Sequence, residues 1–231
     1  MNLPYPHFQI NVKVYPGTWG TDGLALAETV ERVGEETGAT FVLTPQLPDL
    51  RLFAHETDLP VFAPAVDPVE PGRGMGKLLP EALAEAGAVG AIVNHAENRD
   101  TLADIERKIE RCQAVGLDAI VCVDSVEMGR AVAAFGPDQL LFERPDDIAT
   151  DRAISRTHPD RIEAFLDMRD AVAPGTKVRV GGGISTAEDV RLAFELGVDA
   201  TGAASAIATA ADPADRLREI GEVVASVDPS R

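Results

Sequence analysis

Ala88-Val-Gly-Ala-Ile-Val93, then Thr101 to Gly116, then Asp118-Ala-Ile-Val-Cys-Val123 is the stretch that decides the fold. Two short apolar runs flank a helical pattern. Asp100 or Thr101 can cap that helix at its start, and Gly116 ends it. Two strands joined through a helix in this way run parallel. The unit recurs along the whole chain. Strand candidates are 8–14, 40–44, 60–63, 88–93, 118–123, 139–143, 177–181 and 198–202. Helical patterns lie near 22–38, 46–55, 78–87, 101–116, 125–135, 160–173, 186–196 and 213–226. Glu-Thr-Gly38, Glu-Ala-Gly87 and Glu-Leu-Gly197 repeat the glycine stop, and Ser125 and Ser185-Thr-Ala-Glu188 supply further caps. Eight strand–helix units predict an α/β protein whose eight parallel strands close into a barrel. The 231 residues are the length of one complete barrel. No linker or low-complexity segment divides them, so a single (β/α)8 barrel domain over residues 1–231 is expected. An open doubly wound sheet would carry an early glycine-rich phosphate loop. Here the first strand runs into Lys13-Val-Tyr-Pro-Gly17 instead.

Charge narrows the range of partners. The chain has 38 acidic and 21 basic residues, a net charge of −17. Such a surface repels nucleic acid phosphates and anionic membrane heads, so neither is an expected partner. The acids are spread along the chain and lysines are few, as in proteins adapted to high internal salt. An ordinary acidic cytosolic protein is the alternative. At molar salt the Debye length is about 3 Å, so this field would hardly repel an anionic substrate. No apolar run reaches the roughly 18 residues that cross a bilayer. Met1 to Gln9 lacks the basic and apolar regions of a signal peptide, so a soluble, cytoplasmic protein is expected. Cys112 and Cys122 have no Cys or His at ligand spacing, and a disulfide framework needs more cysteines. No metal is expected.

A barrel of this kind does its chemistry at the carboxyl ends of its strands. In Gln9-Ile-Asn11-Val-Lys13-Val14, alternation puts Ile10, Val12 and Val14 on one face and Gln9, Asn11 and Lys13 on the other. The polar face then points inward, where a lysine needs a negative partner or solvent. A solvated edge strand is the other reading. His95 follows strand four, near the start of a helical segment that would disfavour a charged imidazole. A structural histidine is the plainer alternative. Glu97 either bonds an active-site lysine or caps the turn. Glu143 ends an apolar strand, well placed as a partly desolvated base, unless it is merely a loop acid. The segment from Arg144 to Ser155 has the length of a mobile lid. Backbone amides of Gly181-Gly182-Gly183-Ile-Ser185, before a helix, can bind a phosphate. Many barrels carry such a turn without that role.

At this point the chain resembles the archaeal triosephosphate isomerases, which are TIM barrels. The matching phrases include Asn11-Val-Lys13-Val-Tyr15, Pro45-Gln-Leu-Pro-Asp-Leu-Arg51, Leu59-Pro-Val-Phe-Ala63, Asn94-His95-Ala-Glu97-Asn-Arg99, Glu143-Arg-Pro145 and Gly183-Ile-Ser185. The resemblance implies an aldose–ketose isomerase, a glycolytic and gluconeogenic enzyme without cofactor or metal. It implies that Glu143 abstracts a proton beside a carbonyl, that neutral His95 and Lys13 stabilise an enediolate, and that Asn11 holds a substrate oxygen. Glu97, Gly181, Gly182, Gly183, Ser185 and Ser205 are the implied substrate-binding residues. A homodimer or homotetramer is implied too, with Met75 in the contact loop after strand three.

Departures from the family pattern are equally specific. The lid reads Ile148-Ala-Thr-Asp151 where the family has Ile-Gly-Thr-Gly. Two like charges near 4 Å repel by about 1–4 kcal/mol, so Asp151 is expected to disfavour a terminal phosphate. Pro64-Ala65 replaces Gln-His, Ala96 replaces Ser, Met75 replaces Thr, and Thr201-Gly-Ala-Ala-Ser-Ala-Ile207 blurs the strand-eight pattern. Three functions stay open on sequence grounds: a triose phosphate isomerase, an isomerase of another short sugar or sugar phosphate, and a barrel that binds a ligand without this catalysis.

Overall fold

The computed structural model describes residues 3–228. Its eight strands are β1 (His7–Asn11), β2 (Phe41–Thr44), β3 (Phe62–Ala63), β4 (Gly90–Val93), β5 (Asp118–Val123), β6 (Gln139–Phe142), β7 (Lys177–Val180) and β8 (Ala200–Ala203). All pair in parallel, in the order β2-β1-β8-β7-β6-β5-β4-β3. A parallel bridge between Leu43 and Val61 joins the two ends, and the sheet becomes a barrel. Helices follow the strands from Gly20–Thr37 to Pro213–Ser226.

Two layers of buried side chains hold the barrel. Outward-facing strand residues such as Phe8, Ile10, Val178 and Val180 pack under the helices in one large cluster. Between β6 and the helix Pro159–Val172, Phe142 and Phe165 stack with ring centroids 4.7 Å apart. Such a pair adds about 0.5–1.5 kcal/mol beyond its buried area and anchors the strand that ends at Glu143. Inside the barrel, Val42, Phe62, Ile92, Ile120, Cys122 and Leu141 form a smaller cluster. The other side of the lumen is polar and buried, with His7, Gln9, Gln139 and Arg179.

Three local expectations are corrected. β1 stops at Asn11 rather than at residue 14, and Val14 is 76% exposed rather than packed against helices. The Asn11 side chain accepts the Lys13 amide at 3.0 Å and so competes with the strand ladder. The capping box before the helix Ala187–Glu195 lies one residue later than Ser185…Glu188. Thr186 is the N-cap and Asp189 is its reciprocal partner. Short helical turns at Pro145–Asp147, Ile154–Thr157 and Ser205–Ala208 occupy segments read as loops, too short to show a period in sequence.

Candidate active site

A cavity of about 190 Å³ opens at the carboxyl ends of the strands, and Asn11, Lys13, His95 and Glu143 all line it. Lys13 reaches it from a left-handed backbone position, φ 46°, held by the Asn11 bond. Its ammonium donates to Glu97 Oε1 at 2.9 Å. That bond supplies the negative partner a sheltered lysine requires. For Glu97, burial works against ionisation, but the Lys13 hydrogen bond and charge outweigh it and hold the carboxyl below its usual range. Glu97 is itself mostly exposed and meets the site through Lys13.

His95 occupies a tight turn, not the start of a helix. Its carbonyl accepts the Asn98 amide at 2.8 Å, and the next helix begins only at Leu102. The helix-terminus argument for a neutral ring therefore does not apply. Burial, and then the Lys13 charge, lower its pKa instead. The Glu97 amide donates to His95 Nδ1 at 3.1 Å, which assigns the proton of the neutral ring to Nε2. Nε2 faces Glu143 Oε2 at 3.8 Å. The turn is propped by Asn94, at φ 58°. Asn94 exchanges bonds with Asp100 at 2.9 and 3.0 Å and donates to the Cys122 carbonyl at 2.8 Å.

Glu143 follows β6 directly. Burial raises its pKa to about 6, although Lys13 and Arg179 pull it down. A carboxylate tuned toward neutrality beside a neutral imidazole N–H can remove a proton and polarise the adjacent carbonyl. Gly181 makes room for it: a Cβ there would lie 2.0 Å from Glu143 Oε1. Gly182, Gly183 and Ser205 line the same cavity, and their amides meet no acceptor among the described residues. Ser185 also lines it, but its N–H and Oγ both go to Asp189 Oδ2, at 3.0 and 3.3 Å. Among the described residues no group of three His, Cys, Asp or Glu side chains could hold a metal ion.

A family profile described as triosephosphate isomerase matches residues 6–222. The chain belongs to the triosephosphate isomerase family. It is 36% identical over 211 residues to the triosephosphate isomerase of Methanocaldococcus jannaschii, covering 91% of this chain and 96% of that protein. It is 35% identical over 219 residues to that of Methanosarcina acetivorans, covering 95% and 99%. The crystal structure of triosephosphate isomerase from Bartonella henselae superposes with a TM-score of 0.73 at 16% identity, covering 94% of this chain and 98% of that one, a likeness of fold.

Within this family member the segment expected to serve as a lid lines the cavity with Ile148, Ala149, Thr150 and Asp151. Ala149 adopts φ 58°, a conformation that costs an L-residue roughly 1–2 kcal/mol relative to glycine. Arginines clamp the lid at its outer edge. Arg144 and Arg152 lie 3.4 and 3.5 Å from the buried Asp147 carboxylate, Arg152 donates to the Asp146 carbonyl at 2.6 Å, and Arg156 donates to the Asp151 carbonyl at 2.7 Å. Arg144 and Arg152 are thus engaged with Asp146 and Asp147 and not with the Asp151 carboxylate. Gly183 admits the backbone of this segment, since a Cβ there would lie 2.4 Å from the Arg152 carbonyl oxygen.

Sequence reasoning missed Arg179, which lines the cavity and is 1% exposed. Its signal was present. In Val178-Arg179-Val180 the same alternation that turned Asn11 inward turns Arg179 inward.

Proposed function

We propose that this enzyme interconverts glyceraldehyde 3-phosphate and dihydroxyacetone phosphate. The observation that carries the proposal is the placing of Glu143 3.8 Å from His95 Nε2 in one cavity with Lys13 and Asn11. Glu143 takes the proton from the carbon beside the substrate carbonyl. The His95 Nε2–H and the Lys13 ammonium face the oxygens on which enediolate charge develops. Asn11 has its Oδ1 committed to the Lys13 amide, which leaves its Nδ2 as the donor to a substrate oxygen. His95 Nε2 gives its proton to one enediolate oxygen and takes the hydroxyl proton from the other, and Glu143 then returns its proton to the neighbouring carbon. Glu97 positions Lys13. Gly182, Gly183 and Ser205 offer amides to the phosphate, and Ser185 lines the pocket beside them.

A coupled assay on glyceraldehyde 3-phosphate at low and at molar salt tests this. Rapid turnover is expected. Turnover of another short sugar phosphate with none of the triose phosphate would replace the substrate. That second reading draws on Asp151, a carboxylate lining a cavity meant to close on a dianion. The acidic surface suits work at high salt in the cytoplasm, and residues 1–231 are read as one domain. A homodimer or homotetramer is proposed with Met75 in the contact: its side chain stands fully in solvent, at 102% exposure, on the loop from Val69 to Lys77. Light scattering that finds only monomer at working salt and micromolar concentration would exclude that assembly.

A further inference from the structure

Arg179 heads the fully buried side chains in size, at 1% exposure. One of its nitrogens, Nη2, donates to Gln139 Oε1 at 2.9 Å and to His7 Nε2. His7 is the acceptor because its Nδ1 meets the Pro4 carbonyl at 2.8 Å, and burial followed by the Arg179 charge keeps it neutral. The remaining donors, Nε and Nη1, have no partner among the described residues. Nor does any carboxylate among them form an ion pair with this guanidinium. The acids around it stand at a distance. Glu143 follows β6 at the cavity, and Asp118 opens β5 at the opposite end of the lumen. Tyr5 and Cys122 also face it, both pushed by burial to stay neutral.

A buried cation with two neutral partners and no counter-charge is unfavourable for folding. An apolar side chain would pack against Ile92 and Leu141, which share its cavity wall, without that penalty. Stability does not explain Arg179. Position does: Arg179 lines the same cavity as Glu143 and is buried there, where fixed charges act strongly for want of solvent.

We infer that Arg179 is a positioning residue of this active site, a fixed cation whose field favours negative charge on Glu143 and on the bound enediolate. The inference rests on the isomerase reading for its catalytic half only. Other charged or titratable groups facing Glu143 are Lys13 after β1, His95 and Glu97 after β4, and Cys122 on β5. Lys13 is the second cation, so Arg179 shares the work with it.

Arg179→Met and Arg179→Lys test the idea. Glu143 is titrated in the ligand-free protein by carbon NMR of labelled glutamates, its signal assigned by comparison with Glu143→Gln. In Arg179→Met the midpoint should rise by about one pH unit. The acid limb of kcat/KM should move up with it, and kcat should fall about tenfold at pH 7. The melting temperature should change little, because removing the buried charge offsets the loss of the donor to Gln139 Oε1 and His7 Nε2. Arg179→Lys should restore much of the midpoint and of the rate. An unchanged Glu143 midpoint in folded Arg179→Met overturns the inference. So does a loss of folded protein in that variant, because the charge would then be structural. Should wild type turn over no triose phosphate while the midpoint still shifts, the isomerase reading fails and the field of Arg179 stands.

Discussion

The two ends of the cavity are built differently. At the base end, each unusual backbone position is tied down. Lys13, at φ 46°, is held by the Asn11 side chain, and Asn94, at φ 58°, by Asp100 and the Cys122 carbonyl. Lys13, Glu97 and His95 are linked in turn by two hydrogen bonds of 2.9 and 3.1 Å. At the lid end, Ala149 holds the same kind of backbone conformation, φ 58°, with a side chain that can form no hydrogen bond. Its neighbours are fastened by Arg152 and Arg156 at the outer edge. The difference teaches which end tolerates change. A conformation fixed from several sides positions reacting groups to within a fraction of an ångström, whereas a lid must open and close.

The largest expected effect breaks the base end. Glu143→Gln keeps the shape and removes the acceptor, so turnover should fall at least about 100-fold while the protein stays folded. Unchanged turnover would take Glu143 out of the mechanism. The wild-type pH profile sharpens the same point. Glu143 must be ionised to accept a proton, and its pKa stands raised to about 6. Below that pH the protonated fraction grows, so kcat/KM should decline about tenfold per unit. A midpoint near an ordinary glutamate's value would show that the base is less desolvated than this geometry requires.

Gly181→Ala should come next. The new methyl would meet Glu143 Oε1 at 2.0 Å, and the carboxylate is the far end of a flexible side chain, so it will move rather than the barrel. Misplacing a base by about 1 Å can cost on the order of 100-fold, with the melting temperature little changed. Gly175→Ala, where an added Cβ meets nothing, is the control. Equal activity in the two variants would mean that Gly181 does not seat Glu143.

The smallest effect belongs to the lid. Ala149→Gly with Asp151→Gly relieves the left-handed alanine and removes a carboxylate from the cavity wall. Binding of a phosphoglycolate-like inhibitor should tighten by about 1–3 kcal/mol, as for one close like charge at intermediate dielectric. Part of the gain from glycine is lost to the freer unfolded lid. A wild type already fast on triose phosphate, with a slower variant, would show that the charged lid serves the closed state.

Most of the barrel was legible because a βαβ unit writes its period locally: an apolar run, a cap, a helical stretch, a glycine. Parity in β1 turned Asn11 inward, and strand ends located His95 and Glu143. What reached further than a few residues was not legible. The neutrality of His95 comes from burial and from Lys13, 82 positions away in sequence, and not from a helix end. The closeness of Gly181 to Glu143 depends on how the ends of β6 and β7 meet.

By itself, then, the sequence determined the eightfold repeat, the barrel and the residue types at each strand end, since these follow from periodicity and local hydrogen bonding. Only the tertiary structure decided that Arg179 has no counter-charge among the described residues, that Gly181 makes room for Glu143, and that Lys13 reaches Glu97. Those outcomes depend on which buried charges and donors come within about 3–4 Å of each other, and closing a barrel sets such distances between residues far apart in the chain.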